Sequence, residues 1–366
     1  MRKMKILITN NSLNMLAGSE LFVYTLAKEF IKLGHEVQAI PIVDFKEDDS
    51  LILEFKKIGV KVLNSIDLLD KDYDVIHYQH NNITNIVNYH LPNTPKIFVS
   101  HGVYFPVCMP NLDIKFNAIV GVSKEIKWYY EKNHHIKNIQ LINNPIDFDK
   151  FGYVGKKPDK NIKKVCFASN HAGKPCKRMG INCEGYEIYK NKYFLQHCYN
   201  KCAFKPLNVI SEFAKNNKAV LYNVGGISFV NDKHEIESKD NQVWDMENAY
   251  QAGSIVFGIG RTSLQAMAMG IPTVVYDHFG YAGFINLKNF YKWQWSNFSG
   301  RAKKKPIGEF FRNDILIEKI QKEYKKINQK SLKQLSDKIH EKYDSKTIAK
   351  KYLALYRKCI KNAKKV

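Results

Sequence analysis

Acidic residues are scarce in this chain. It has 35 Asp+Glu against 57 Lys+Arg in 366 residues, a formal net charge of +22. An excess of that size points to an anionic partner and leaves phosphate, nucleic acid and acidic lipid open. Long apolar runs are also missing: none approaches the roughly 18 residues that a membrane-spanning helix needs, which excludes one. The opening segment, Met1-Arg2-Lys3-Met4-Lys5-Ile6-Leu7-Ile8-Thr9, has a run of only three apolar residues behind its basic ones. That is too short for the core of a signal peptide and reads as a first strand. With 45% hydrophobic and 13% aromatic residues, disorder is excluded. Cysteines number seven in a large chain without an export signal, which points to a reducing cytoplasm.

What is present is a βαβ rhythm. At about 150 residues per domain, the length suggests two domains. Lys5 to Ile8 reads as a strand and Asn10 to Ser19 as a polar loop. A helix follows, with Phe22, Leu26, Phe30 and Leu33 on one face, Ser19 as its N-cap and Gly34 just past its end. His35 to Ile40 opens the next strand. Val75-Ile76-His77-Tyr78, Ile97 to Ser100, Ala118 to Val122 and Gln140 to Ile142 are further strand candidates, apolar enough for burial on both faces. A polar stretch from Gly152 to Lys163 marks a domain boundary. The pattern then restarts with Val165 to Ala168, Ala219 to Tyr222, Ser254 to Phe257 and Thr273 to Tyr276, with helices such as Pro206 to Lys215 and Thr262 to Met269 between them. The last 50 residues read as helices, with Ile348, Tyr352, Leu355, Tyr356 and Cys359 on one stripe. The expected fold class is α/β: two doubly wound Rossmann-like domains facing a cleft, with C-terminal helices. Ligands of such sheets bind at the carboxyl ends of the strands, so the cleft is the expected site.

One segment carries chemistry. In Gly258-Ile259-Gly260-Arg261-Thr262-Ser263-Leu264-Gln265, a strand runs into a glycine loop and a helix begins near Thr262. Such a loop lets the backbone approach an anion, and the helix start adds N–H groups and about half a positive charge. Arg261 supplies a bidentate phosphate donor at the same place.

Leu264-Gln265-Ala266-Met267-Ala268-Met269-Gly270-Ile271-Pro272 resembles the EAMA-x-G-x-P signature of family-4 glycosyltransferases, which have the GT-B fold. Other pieces follow in family order. Gly18-Ser19-Glu20 stands where many members have a Gly-Gly loop. Gly34-His35-Glu36-Val37 matches GHEV, Asp74-Val75-Ile76-His77 matches DVIH, and Ser100-His101-Gly102 resembles THG. Val120-Gly121-Val122-Ser123 matches a strand end ending in VS, and Asn144-Pro145-Ile146-Asp147 stands where NGID usually stands. Asn297-Phe298-Ser299-Gly300-Arg301 is similar to a motif of a bacterial subgroup with a GxGR loop before EAMA. About 171–204 and 227–242 match poorly, the first as an insertion. The resemblance implies an N-terminal acceptor-side domain over 1–150 and a nucleotide-sugar-binding domain over 151–345. It also implies a last helix, 346–366, packing back on the N-terminal domain. It implies a retaining hexosyltransferase that moves sugar from a nucleotide-diphosphate donor to a hydroxyl of a glycan or lipid-linked acceptor in surface polysaccharide or glycolipid synthesis. No metal cofactor is required. His101 would be catalytic beside the sugar. Gly18, Ser19, Gly258, Gly260, Arg261, Thr262 and Ser263 would hold the donor diphosphate, Gln265 its ribose, and Lys205 would match a phosphate-binding Lys on a turn.

The chain departs from the family in its acids. The paired Glu residues of the family fall on Phe257 and Gln265 here. An amide can still bond a ribose hydroxyl, whereas Phe257 cannot stand in for a carboxylate. His77 and His80, at another strand end, read either as core histidines or as lining of an acceptor pocket. Cys176, Cys183, Cys198 and Cys202 read either as reduced thiols in an insertion or as a small structural zinc site, although the first spacing is wide for zinc. From Gly300 to Val366 there are 21 Lys+Arg and 7 Asp+Glu, +14 of the total. Solvated helix faces are one reading of that tail, and an anionic membrane surface at the inner face is the other. A nucleic-acid-binding protein is a competing function, but no nucleic-acid-binding motif is present. A nucleotide-sugar 2-epimerase and a binding module without catalysis complete the alternatives.

Overall fold

The computed structural model describes residues 2–103, 106–169, 199–224, 236–239, 243–277, 279–301, 303–304 and 311–364, with the backbone alone at 199–205, 208 and 236–239. The chain divides into two compact units: Met1–Asp147 with Tyr343–Val366, and Phe148–Lys342.

The first unit runs β1 (Lys5–Asn10), α1 (Gly18–Lys32), β2 (Glu36–Pro41), α2 (Ser50–Lys57), β3 (Lys61–Val62), β4 (Val75–Tyr78), α3 (Thr84–His90), β5 (Lys96–Ser100), β6 (Ala118–Gly121), α4 (Lys124–Asn133) and β7 (Gln140–Leu141). Its seven strands form one parallel sheet in the order β3-β2-β1-β4-β5-β6-β7. Ile6, Leu7, Ile76, Ile97 and Phe98 are fully buried, as strands covered on both faces require.

The second unit runs β8 (Lys164–Ala168), α5 (Tyr199–Asn216), β9 (Val220–Val224), β10 (Ile236–Lys239), α6 (Met246–Ala252), β11 (Ile255–Gly258), α7 (Gly260–Ala268), β12 (Thr273–Asp277), β13 (Gly280–Phe284), α8 (Phe290–Gln294), α9 (Asn313–Tyr324) and α10 (Gln329–Tyr343). The sheet order is β10-β9-β8-β11-β12-β13. It is parallel except for β13, a strand absent from the sequence expectation, which pairs antiparallel with β12. The link between β12 and β13 is far shorter than the dozen or so residues of a parallel crossover, so only the antiparallel pairing is open to it.

The last helix, α11 (Ser345–Ala363), belongs to the first unit, where it packs on α1. A pair of backbone bonds ties it there: Ile146 N–H donates to Tyr343 O at 2.7 Å and Ser345 N–H to Ile146 O at 3.0 Å. Ile348, Tyr352, Tyr356 and Cys359 of the expected stripe are buried, together with Leu353; Leu355 is half-buried instead. Helix α1 is therefore covered on two sides, by its sheet and by α11. Beside the expected Phe22, Leu26 and Phe30, that buries Glu29, which accepts from Ser345 Oγ at 3.3 Å, while Phe55 of α2 meets Tyr24 at 5.5 Å.

Several boundaries differ from expectation. Ser19 is not the N-cap of α1: the cap is Ala17, and the Ser19 hydroxyl donates to Glu20 Oε2 at 2.8 Å inside the first turn. Gly34 does stand past the helix end, with φ +82°, where its N–H donates to Ile31 O and that of His35 to Phe30 O. Helix α7 starts at Gly260, two residues before Thr262. Pro206, expected at a helix start, lies inside α5, because that helix begins at Tyr199.

Candidate functional site

In each sheet the strand order reverses once, between β1 and β4 in the first unit and between β8 and β11 in the second. The carboxyl ends of strands at such reversals are where doubly wound sheets bind ligands. Gly18 and His101 stand near the first of these reversals, and Gly258 to Thr262 at the second.

In the second unit, β11 feeds directly into α7. Gly258 is required by packing: a Cβ there would stand 2.4 Å from Thr262 Cγ2. Gly260 is required by conformation, with φ +54°; a Cβ there would only touch Asn297 at an ordinary 3.9 Å. Its N–H donates to Phe298 O at 3.0 Å, which brings the Asn297–Arg301 segment onto the loop. Asn297 and Phe298 both adopt φ near +55°, and Gly300, at φ +83°, lets Gly280 O approach to 2.5 Å of where a Cβ would stand. The N-terminus of α7, with Arg261 and Thr262 half-buried in its first turn, thus opens at the reversal between β8 and β11. Helix geometry leaves the first backbone N–H groups without intrahelical acceptors and concentrates positive charge there.

Two candidates here are turned to other tasks. Ser263 is buried and its hydroxyl donates to Gly258 O at 2.8 Å, so that proton ties the helix to the strand and does not reach a phosphate. Gln265 is buried, and its Oε1 accepts from Tyr250 Oη at 3.4 Å. Burial raises the Tyr250 hydroxyl pKa, so it stays a donor. Phe257 is a core residue: it is fully buried and meets Phe213 edge-on at 5.6 Å. Lys205 falls inside α5, not on a turn, and its side chain lies outside the described residues.

The sequence reading passed over Asp277 and Ser169, and it named Arg301 only as the end of the Asn297–Arg301 motif, without a site role. Asp277 is the last residue of β12, is buried, and accepts from Ser169 Oγ at 2.7 Å just beyond β8. A polar residue ending an apolar strand was the signal available for it. Arg301 is also buried, with its guanidinium 4.5 Å from the centre of the Phe279 ring.

In the first unit, the ends of β1, β4 and β5 carry Asn10 and Asn11, Gln79 and His80, and His101. His80 Nδ1 accepts the Asn11 N–H at 3.1 Å, and burial lowers its pKa to about 4. His101 is half-buried. Its Nε2 bonds to Gln79 Oε1, and its ring meets Phe22 edge-on at 4.8 Å and lies 6.3 Å from that of His80. His77 is fully buried behind it, its pKa lowered to about 3 by desolvation. His77 is therefore a core histidine, whereas His101 and His80 stand at the strand ends. Gly18 opens α1 and Ser19 is held by Glu20. Burial pushes the Glu20 carboxyl up to about 7, against the Ser19 hydrogen bond.

Among the described residues no group of three or more His, Cys, Asp or Glu is placed to hold a metal ion. Cys176, Cys183 and Cys198 lie outside the described residues, and of Cys202 only the backbone, in α5, is described. No helix of the described residues is long and apolar enough to cross a membrane.

No protein-family model matches the sequence, and a search of curated proteins finds no match. Solved structures do match, and over nearly the whole chain. A glycosyltransferase from Rickettsia africae ESF-5 superposes with a TM-score of 0.63 at 16% identity, covering 99% of this chain and 100% of that one. Anabaena HepE, in complex with UDP and glucose, superposes with a TM-score of 0.60 at 12% identity, covering 96% and 98%. A putative UDP-N-acetylglucosamine 2-epimerase from Listeria monocytogenes superposes with a TM-score of 0.56 at 10% identity, covering 99% and 98%. The fold is GT-B.

Proposed function

We propose that this protein is a nucleotide-sugar-dependent glycosyltransferase. The observation that carries the reading is the Gly258–Arg261 loop, which delivers a helix N-terminus and an arginine to the strand-order reversal of the second unit. Cleaving a sugar from a nucleoside diphosphate leaves negative charge on the departing phosphate. Fixed N–H donors, a helix dipole and a guanidinium stabilise that charge without rearranging. The positive charge comes from the chain itself, and the chemistry asks for no metal cofactor. The Arg261 guanidinium and the first-turn N–H groups of Arg261 and Thr262 hold the diphosphate, while Gly258, Gly260 and Ser263 shape the loop. The GT-B fold and the UDP and glucose bound to Anabaena HepE support this reading and make uridine the first nucleoside to test.

The family-4 resemblance supports a finer version. Transfer is retaining: the bond from the sugar carbon to the phosphate oxygen breaks, the bond to the acceptor oxygen forms on the same face, and the acceptor proton passes to the phosphate. His101 assists beside the sugar, and Gly18 contacts the donor. The acceptor is a glycan or lipid-linked hydroxyl of surface polysaccharide or glycolipid synthesis. The enzyme works in the cytoplasm at the inner membrane face, held there by basic residues. Helix α11 has no acidic residue, and it exposes Lys346, Lys350, Lys351, Lys358 and Lys361. Each such residue near an anionic surface adds up to ~1 kcal/mol of attraction.

Thermal unfolding against UDP, GDP and ADP tests the donor site: one nucleoside diphosphate should raise Tm, and no shift with any of them would overturn the reading. A second reading, a nucleotide-sugar 2-epimerase, has the likeness to the Listeria structure in its favour. Incubation with a nucleotide-sugar panel separates the two. A transferase frees nucleoside diphosphate, whereas an epimerase returns an isomerised sugar still bound to its nucleotide.

A further inference from the structure

His101 is tied into the core of the first unit by a chain of side-chain hydrogen bonds. Its Nε2 meets Gln79 Oε1. Gln79 Nε2 meets His77 Nε2 at 2.6 Å, and His77 Nδ1 meets Tyr356 Oη at 2.5 Å. The four residues come from the end of β5, the end of β4, β4 itself and α11. Gln79, His77 and Tyr356 are all fully buried, so each must find its partner within the protein.

The amide of Gln79 gives the chain a direction. Its oxygen only accepts, so His101 Nε2 carries a hydrogen. Its nitrogen only donates, so His77 Nε2 is bare and the hydrogen of that neutral ring sits on Nδ1, donating to Tyr356 Oη. Desolvation keeps His77 neutral, with its pKa lowered to about 3, so protonation does not interrupt the chain near neutral pH. The ring planes are held independently. Phe22 meets His101 edge-on at 4.8 Å, Tyr352 lies against His77 at 5.2 Å, and Phe30 meets Tyr356 edge-on at 5.7 Å.

We propose that Gln79, His77 and Tyr356 are positioning residues that hold His101 in its Nε2–H tautomer, so that the C-terminal helix sets the proton position on the ring at the strand ends. A proton taken up by His101 then enters at Nδ1, while Gln79 Oε1 accepts from Nε2–H in either charge state. The catalytic meaning of this rests on the role assigned to His101 above; the tautomer does not.

The test reads the tautomer directly. The full chain is labelled with ¹⁵N-histidine, and its ring nitrogens are followed by long-range ¹H–¹⁵N correlation at pH 7.5. His101 and His77 are assigned by the loss of their signals in His101→Asn and His77→Asn. The expected pattern is Nε2–H for His101 and Nδ1–H for His77. In Tyr356→Phe, which keeps the ring packing, His77 loses its acceptor and should move to Nε2–H. The Gln79 amide then turns, and the His101 Nε2–H signature should fall by at least half. In Gln79→Glu the carboxylate accepts from both rings, so His101 should keep Nε2–H while His77 switches. This variant carries the test if Tyr356→Phe does not fold. His101 found as Nδ1–H in the parent, or unchanged in folded Tyr356→Phe, or altered in Gln79→Glu, would overturn the proposal. With a donor in hand, Tyr356→Phe should lower kcat severalfold and leave KM within about twofold. The expected tautomers in a chain that turns over no nucleotide sugar would keep the relay and reject the glycosyltransferase reading instead.

Discussion

The Gly260 N–H donates to the Phe298 carbonyl at 3.0 Å, so the start of α7 is pinned by a loop far along the chain. Gly258 and Gly260 serve this junction for different reasons, and their alanine variants should differ accordingly. Gly260→Ala meets Asn297 at an ordinary contact distance of 3.9 Å but keeps φ +54°, a strain of roughly 1–2 kcal/mol for a residue with a Cβ. Gly258→Ala drives a methyl to 2.4 Å from Thr262 Cγ2 and should cost more. Urea unfolding of both variants gives the order. A neutral Gly258→Ala would refute the packing account.

Arg261→Ala should weaken binding of the stabilising nucleotide by roughly 10-fold or more, the loss of a charge-assisted contact of about 1.5–3 kcal/mol. His101→Ala should leave that binding nearly intact and lower turnover. Calorimetric titration beside donor hydrolysis separates these effects. Equal activity of His101→Ala and the parent removes His101 from the chemistry.

Glu20 makes stability depend on pH. Its folded-state pKa, raised from 4.5 to about 7 by burial, means that the native state binds the extra proton. Its contribution is full below about pH 4.5 and is lost as pH rises through about 7; the rise corresponds to roughly 3 kcal/mol. Glu20→Gln removes the penalty. Its advantage over the parent should be small at pH 5 and approach that figure at pH 8. An advantage that does not grow with pH would show that Glu20 ionises freely in the folded chain.

The exposed lysines of α11 should bind vesicles of anionic lipid and release them as salt rises, because the Debye length shrinks from about 10 Å at 0.1 M to 3 Å at 1 M. Replacing Lys350, Lys351 and Lys358 by Gln should weaken co-sedimentation without lowering Tm, since all three side chains are exposed. Binding that ignores lipid charge would leave the tail as ordinary solvated helix.

The fold was legible where periodicity is strong. The runs at Ile6 to Ile8, Val75 to Tyr78 and Ile97 to Ser100 are buried strands as expected, and the glycine loop at Gly258 to Gly260 does join a strand to a helix. Short elements without a repeating pattern were not legible: β3 has two residues, and β13 is rich in glycine. Among the candidate residues, Ser263 and Gln265 could not be judged from the chain, since their burial follows from how α7 lies against β11 and Tyr250. Asp277 escaped, and Arg301 was given no site role, because their contacts come from residues brought near only by folding.

The shortage of acid was visible at once, and with it the pull toward anionic partners. Apolar runs alternating with amphipathic helices were enough for two doubly wound α/β units, because short continuous apolar runs and the 3.6-residue helical period are both written locally. Tertiary structure alone decided which polar side chains face one another. The chain from His101 through Gln79 and His77 to Tyr356 joins residues from opposite ends of the sequence. It exists because α11 returns to cover α1, and burial there leaves those groups no water to turn to.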